Sequence, residues 1–169
     1  MTAQRNAGVC LAKGRGVPVD LAAAARFFRL AAEQGDADAQ FSLGECAAQG
    51  RGVARDLAAA ARFFRLAAEQ SHVQAQYELG GCLLHARGVP RVDQKAAARL
   101  FRLAADKGHA HAQQALGACL MKGQGVAQDL SEAERYFRLA AEQGNAKAQS
   151  ALGWTTEQRR AWVAAHAHA

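Results

Sequence analysis

The sequence holds almost no proline: Pro18 and Pro90 are the only two in 169 residues. Both sit in the same kind of turn, so nothing elsewhere interrupts helical segments. Long apolar runs are missing too. No window approaches the ~18 consecutive apolar residues of a membrane-spanning helix, and the opening MTAQRNAGVC lacks the basic-then-apolar run of a signal peptide. The expected setting is cytoplasmic, or a soluble fragment of a longer protein. Aromatic residues are scarce at 7%, yet 50% of the chain is hydrophobic, which excludes a disordered composition. Much of that half is alanine, which buries little area, so the core must rest on close helix approach plus a few Leu and Phe side chains.

Closely spaced cysteines are absent as well. Cys10, Cys46, Cys82 and Cys119 stand 36, 36 and 37 residues apart, and no CxxC pair occurs. Equivalent positions of stacked helical units lie about 10 Å apart, beyond the ~7 Å Cα separation a disulfide can bridge. Reduced, part-buried thiols are expected, and a cysteine-based metal site is not.

What is present is one segment written four times. GRGVPVD begins at Gly14, GRGVARD at Gly50, ARGVPRVD at Ala86 and GQGVAQD at Gly123. Leu43-Gly44, Leu79-Gly80, Leu116-Gly117 and Leu152-Gly153 keep the same period, with Ala7-Gly8 as a weaker first copy. So do Phe27-Phe28, Phe63-Phe64, Leu100-Phe101 and Tyr136-Phe137. The third copy carries one extra residue between Gly88 and Asp93, a loop insertion of the kind repeats tolerate. The glycine-rich stretch is therefore punctuation. A dinucleotide fingerprint needs a third glycine after a strand, and a phosphate loop needs GK[ST]; the chain has neither.

Each copy divides into two helices. In the second copy the first helix runs from about Ala37 to Gln49, with Ala39, Gln40, Leu43, Cys46 and Ala47 on one side and Asp38, Phe41, Glu45, Ala48 and Gln49 on the other. The second helix runs from about Asp56 to Gln70; Leu57, Ala60, Ala61, Phe64, Ala67 and Ala68 form its main apolar face, flanked by Phe63 and Leu66. Asp20, Asp56, Asp93 and Asp129 are placed as N-caps. Neither helix of such a pair buries its apolar side alone, so the pairs must stack on one another.

The combined pattern, A-x-A-Q-x-x-L-G, then G-x-G-V-x-x-D, then A-x-x-[FY]-[FY]-x-x-A-A-x-x-G, resembles the Sel-one-like repeat (SLR) family, a relative of the tetratricopeptide repeat. It covers the chain from Ala3 to Gly153. The resemblance implies an all-α fold, a right-handed superhelical solenoid of stacked antiparallel helix pairs, whose first helices line a concave surface that holds partner proteins or peptides. The units fall at about 1–36, 37–72, 73–109 and 110–145, with a partial unit at 146–153. Some secreted members of the family pair two cysteines within each repeat; this chain has one per repeat, which speaks against that subgroup. Residues 154–169 depart from the pattern. Thr155 and Gln158 are spaced as a capping box, and Trp154 and Trp162 are placed to cover the last core face, so this segment reads as a capping helix and tail.

No catalytic set emerges. No Ser-His-acid or Cys-His combination can be built from residues that break the period, and no cofactor is implied. His109 and His111 resemble a metal pair, but His109 takes the place of Asp36, His72 and Asn145, and His111 that of Asp38, Gln74 and Lys147, read as variable surface positions. His166 and His168 lie in the tail. The expected function is a non-enzymatic, monomeric scaffold binding a protein or peptide through Arg5, Val9, Phe41, Glu45, Tyr77, Gly81, Leu84, His85, Gln114, Met121 and Lys122. Phe41 and Tyr77, one period apart, are expected to form an aromatic patch, or else to pack against the next unit. The alternative surface is a ridge of Arg26, Arg29, Arg62, Arg65, Arg99, Arg102, Arg135 and Arg138, part of a net charge of +6, which would face nucleic acid or another anionic surface.

Overall fold

The structure, a computed structural model, describes residues 2–153; the segment read as a capping helix, with its two tryptophans and the tail histidines, lies outside the described residues. It contains α1 (Thr2–Lys13), α2 (Leu21–Glu33), α3 (Ala37–Gln49), α4 (Leu57–Glu69), α5 (Val73–Leu84), α6 (Gln94–Asp106), α7 (Ala110–Lys122) and α8 (Leu130–Glu142). Residues 146–153 are helical as well, and no strand occurs among the described residues. The chain divides into two compact units after Val92. In the first, α1 to α5 pack each against the next; in the second, α6, α7 and α8 do the same. The fold class is all-α, built of stacked helix pairs.

The caps explain why the helices begin where they do. Asp20, Asp56, Asp93 and Asp129 each accept from a first-turn amide, as in Asp20 Oδ1 from Ala23 N at 2.8 Å and Asp56 Oδ1 from Ala59 N at 2.9 Å. Each such cap is worth about 1 kcal/mol. The first helices are capped too, at positions the sequence reading took for variable surface. Asp36 caps α3, the Nδ1 atoms of His72 and His109 cap α5 and α7, and Asn145 accepts from Ala148 N at 3.0 Å. Variation there is restricted to side chains with a short-range acceptor. The neighbouring set does behave as surface: Asp38, Gln74, His111 and Lys147 are exposed.

The core follows the two-sided pattern. Ala39, Gln40, Leu43, Gly44, Cys46 and Ala47 are buried on α3, and Ala60, Ala61, Phe64, Ala67 and Ala68 on α4. Gly44 shows why the Leu-Gly and aromatic markers travel together. A Cβ there would lie 2.6 Å from the Phe64 ring, so the absent side chain is the space the phenylalanine fills. Phe63, the flanking ring, packs against the cluster of Ala24, Phe28, Ala31, Ala39 and Leu43, and thereby joins one repeat to the one before it. A hydrogen-bond ladder runs alongside. Gln40 Nε2 donates to Ala32 O at 3.2 Å while its Oε1 accepts from Gln70 Nε2 at 2.8 Å, and Gln113 repeats both bonds with Ala105 and Gln143. Gln76 keeps the first bond, but its Oε1 has no partner among the described residues. The glutamine that ends AAEQ in the other copies is Lys107 in the third.

Each turn is closed by main-chain bonds. Gly50 takes a left-handed φ of 71° and Arg51 N–H donates to Cys46 O at 3.0 Å, which satisfies an end-of-helix carbonyl. The second turn glycine, Gly52, has φ 70° and sits on the preceding repeat: a Cβ there would lie 2.0 Å from Leu21 O. Gly88 and Gly125 stand in the same relation to Leu57 O and Gln94 O, at 1.9 and 2.1 Å. In the third copy the left-handed position is filled by Ala86, φ 52°, and in the second copy the glycine that follows AAEQ is replaced by Ser71, φ 65°.

Candidate functional site

The outward sides of the first helices carry the positions singled out from the sequence, and the geometry sorts them into distinct environments. Arg5 on α1 is engaged within the protein. Its guanidinium bonds the Asp36 carboxylate at 3.3 Å and also bonds Asp38. Asp38 in turn approaches His72 Nε2 at 3.3 Å. Phe41 belongs to the same network: its ring stacks on His72, centroids 4.8 Å apart, and meets Phe64 at 5.8 Å. This cluster ties the first repeat to the second and holds the His72 cap at the start of α5.

Val9 and Glu45 lie elsewhere. They line a cleft of about 240 Å³ between α1, α2 and α3. Its walls are Val9, Ala12, Leu21, Ala24, Phe28 and Cys46, and Lys13, Ser42, Glu45 and Arg51 supply the polar groups. Burial is the main influence on the Cys46 thiol and pushes its pKa up, so it stays protonated and neutral. Lys13, Glu45 and Arg51 make no ion pair within 4 Å among the described residues, in contrast to Arg5.

On α5, Tyr77 is half-buried and burial raises its pKa, Glu78 adding to the effect and Arg87 opposing it. The Arg87 guanidinium lies over Gly81, where a Cβ would come within 2.7 Å of it. Leu84 is half-buried and His85 exposed. In the second unit Gln114 and Met121 are half-buried and Lys122 is exposed. Sequence reasoning missed Lys13, Ser42 and Arg51, because the two basic residues sit at the ends of the first helices, where they read as turn residues.

The arginine ridge is uneven. Arg26, Arg29, Arg62 and Arg65 are exposed, with Arg62 over the Phe63 ring at 5.2 Å. In the second unit Arg102 grips Glu132 with contacts of 2.8 and 3.4 Å, and Arg138 bonds Glu134 at 2.8 Å. Arg135 lies over Tyr136 at 4.4 Å.

No three His, Cys, Asp or Glu side chains gather as metal ligands among the described residues. All four cysteines are free thiols, and Cys46, Cys82 and Cys119 are buried. No helix among the described residues is long and apolar enough to cross a membrane.

Comparison with solved structures places the chain beside two bacterial repeat proteins. It is similar to c5321, a protective antigen of uropathogenic Escherichia coli strains with an SLR fold, at 39% identity and TM-score 0.87, covering 95% of this chain and 34% of that one. A Sel1 repeat protein from Oxalobacter formigenes is 34% identical with TM-score 0.83, over 89% of this chain and 62% of that one. The chain thus spans about a third of the first relative and under two thirds of the second. Helicobacter pylori cysteine-rich protein B shares the fold at 20% identity and TM-score 0.61, over 79% of this chain and 96% of that one. No curated protein matches the sequence. The Sel1 repeat pattern matches residues 2–36, 37–72, 73–109 and 110–145, the same four segments that the turns, caps and glutamine ladder delimit, and the chain belongs to the Sel1 repeat family.

Proposed function

We propose that the chain is a non-enzymatic interaction module that holds a peptide segment of a partner protein against its first helices. The observation that carries this reading is the cleft between α1, α2 and α3, where an apolar wall meets three charged side chains with no ion-pair partner among the described residues. At about 240 Å³ it falls below the roughly 300–1,000 Å³ of sites for drug-sized ligands. A single side chain of a peptide fits that size better than a cofactor does. Sel1 repeats generally serve protein–protein interaction, which supports the same reading. Tyr77, Gly81, Leu84 and His85, and in the second unit Gln114, Met121 and Lys122, are proposed as further contact positions.

Selection of displayed random peptides on the intact chain tests the proposal. Peptides enriched on the wild type should lose binding to Val9→Asp and keep it on Arg62→Ala/Arg65→Ala. Equal binding to the wild type and the cleft variant would remove the cleft from consideration. A second reading, an anionic surface bound through Arg26, Arg29, Arg62 and Arg65, is favoured by the exposure of these four side chains on one side of α2 and α4. Retention on heparin that falls steeply with salt and is shortened in the arginine variant is its signature.

A further inference from the structure

Resting on the reading that the cleft receives a peptide, we propose that its ligand is acidic: a bulky aliphatic side chain enters between Val9, Leu21 and Phe28, and a neighbouring aspartate or glutamate meets Lys13 and Arg51. The size of the cleft selects one side chain. Its wall selects the chemistry of that side chain, because Val9, Ala12, Leu21, Ala24 and Phe28 offer no hydrogen bond from their side chains and the Cys46 thiol is neutral.

Charge complementarity selects the neighbour. Two cations and one carboxylate line the cleft, a balance of one positive charge, and none of the three has an ion-pair partner within 4 Å among the described residues. Arg5 on the first helices is committed, because it holds Asp36. Glu45 works against an acidic ligand, so the proposal carries a sign that can be checked. Removing the Glu45 charge should strengthen binding, whereas a basic ligand would need that charge and lose affinity without it.

The probes are four blocked tetrapeptides, acetyl-Gly-X-Y-Gly-amide with X-Y as Leu-Asp, Leu-Asn, Leu-Lys or Ala-Asp, titrated into the full chain and followed by amide resonances of Val9, Glu45 and Cys46. Leu-Asp should bind tightest. Exposed ion pairs are worth up to about 1 kcal/mol each, so Leu-Asn should be weaker by about 5-fold and Leu-Asp should weaken as salt rises. Lys13→Gln and Arg51→Gln should each weaken Leu-Asp by about 2- to 5-fold and leave Leu-Asn unchanged. Glu45→Gln should tighten Leu-Asp. Unchanged melting of the three variants, all altered at partly or fully exposed side chains, excludes a folding artefact. The proposal is overturned if Leu-Asn or Leu-Lys binds as well as Leu-Asp, or if Lys13→Gln and Arg51→Gln bind Leu-Asp like the wild type. Cleft resonances that shift regardless of charge sink this inference and leave the interaction reading standing. Displayed peptides that ignore the cleft variant sink both.

Discussion

Replacing Gly52 and Gly16 by alanine, one at a time, separates two costs that usually arrive together. Both residues have a left-handed backbone, φ 70° and 74°. An alanine in that region costs about 1–2 kcal/mol wherever it stands. Their surroundings differ. A Cβ at position 16 meets nothing within 4 Å, whereas at position 52 it would lie 2.0 Å from Leu21 O, 2.3 Å from Leu21 C and 2.8 Å from Ala22 N. These are main-chain atoms of the first turn of α2, so no side-chain rotation relieves the overlap. The turn cannot withdraw easily either, because Arg51 N–H and Asp56 N–H are bonded to Cys46 O and Ala47 O at 3.0 and 2.9 Å. Forcing extra volume into a packed contact costs about 1–3 kcal/mol. Gly16→Ala should therefore lose about 1–2 kcal/mol from backbone strain alone, and Gly52→Ala about 2–5 kcal/mol from strain and overlap combined. Urea unfolding at constant m-value measures both, and amide exchange should show the extra loss concentrated in α2 and α3. Equal losses in the two variants would refute the claim that the second turn glycine is there for repeat stacking.

The opposite substitution should stabilise. Ser71→Gly and Ala86→Gly place glycine where φ is 65° and 52°, and each should gain about 0.5–1 kcal/mol, read as a higher urea midpoint. Phe41→Ala removes a ring stacked on His72 and in contact with Phe64, so it should cost about 2 kcal/mol in the same assay even if no partner is present. Thiol titration of the native chain should find Cys10 reacting first, because it is the least buried, with Cys46, Cys82 and Cys119 slow because burial raises their pKa. His109, the cap of α7, has its pKa lowered below 6.5 by burial first and His111 second. The unfolded chain therefore binds the proton more readily, and the His109 contribution to stability is complete above the unfolded pKa and lost as pH falls below it. A urea midpoint that declines between about pH 7 and 5 in the wild type, and declines less in His109→Asn, where asparagine caps as well without titrating, is the expected result.

The fold was legible because a repeat states its constraints several times over. The Asp caps, the paired faces of α3 and α4 and the role of the first turn glycine could all be read from four aligned copies, since local chemistry dictates each of them. What stayed hidden depends on three-dimensional neighbours. Positions 36, 72 and 109 hold Asp, His and His, a mixture that looks like freedom until each side chain is seen accepting a first-turn amide. The sequence leaves Phe41 open between an aromatic patch and a packing contact, because a helical wheel knows its own helix and not the His72 ring at the start of α5 that stacks on it. The purpose of Gly52 needed the α2 main chain beside it. The cleft was half legible: Val9 and Glu45 were among the residues the sequence singled out, but Lys13 and Arg51 enter it from helix ends, where periodicity carries no information.

The same reasoning explains how nearly identical repeats acquire different surfaces. Core positions repeat because alanine, leucine and the aromatic ring must fit a fixed spacing, so selectivity must come from charged side chains around that core. Whether such a charge is available depends on what folding has already paired it with. Arg102 and Arg138 match Arg29 and Arg65 in sequence position, yet Glu132 and Glu134, which appear only in the fourth copy, hold them. Arg5 is held by Asp36, whereas Lys13 and Arg51 have no carboxylate within 4 Å among the described residues. A count of basic residues would rank the outer arginines first. Discounting those already neutralised leaves, in the first unit, the exposed outer arginines and the cleft, and the cleft adds an apolar wall beside its cations, so a ligand there gains from both at once.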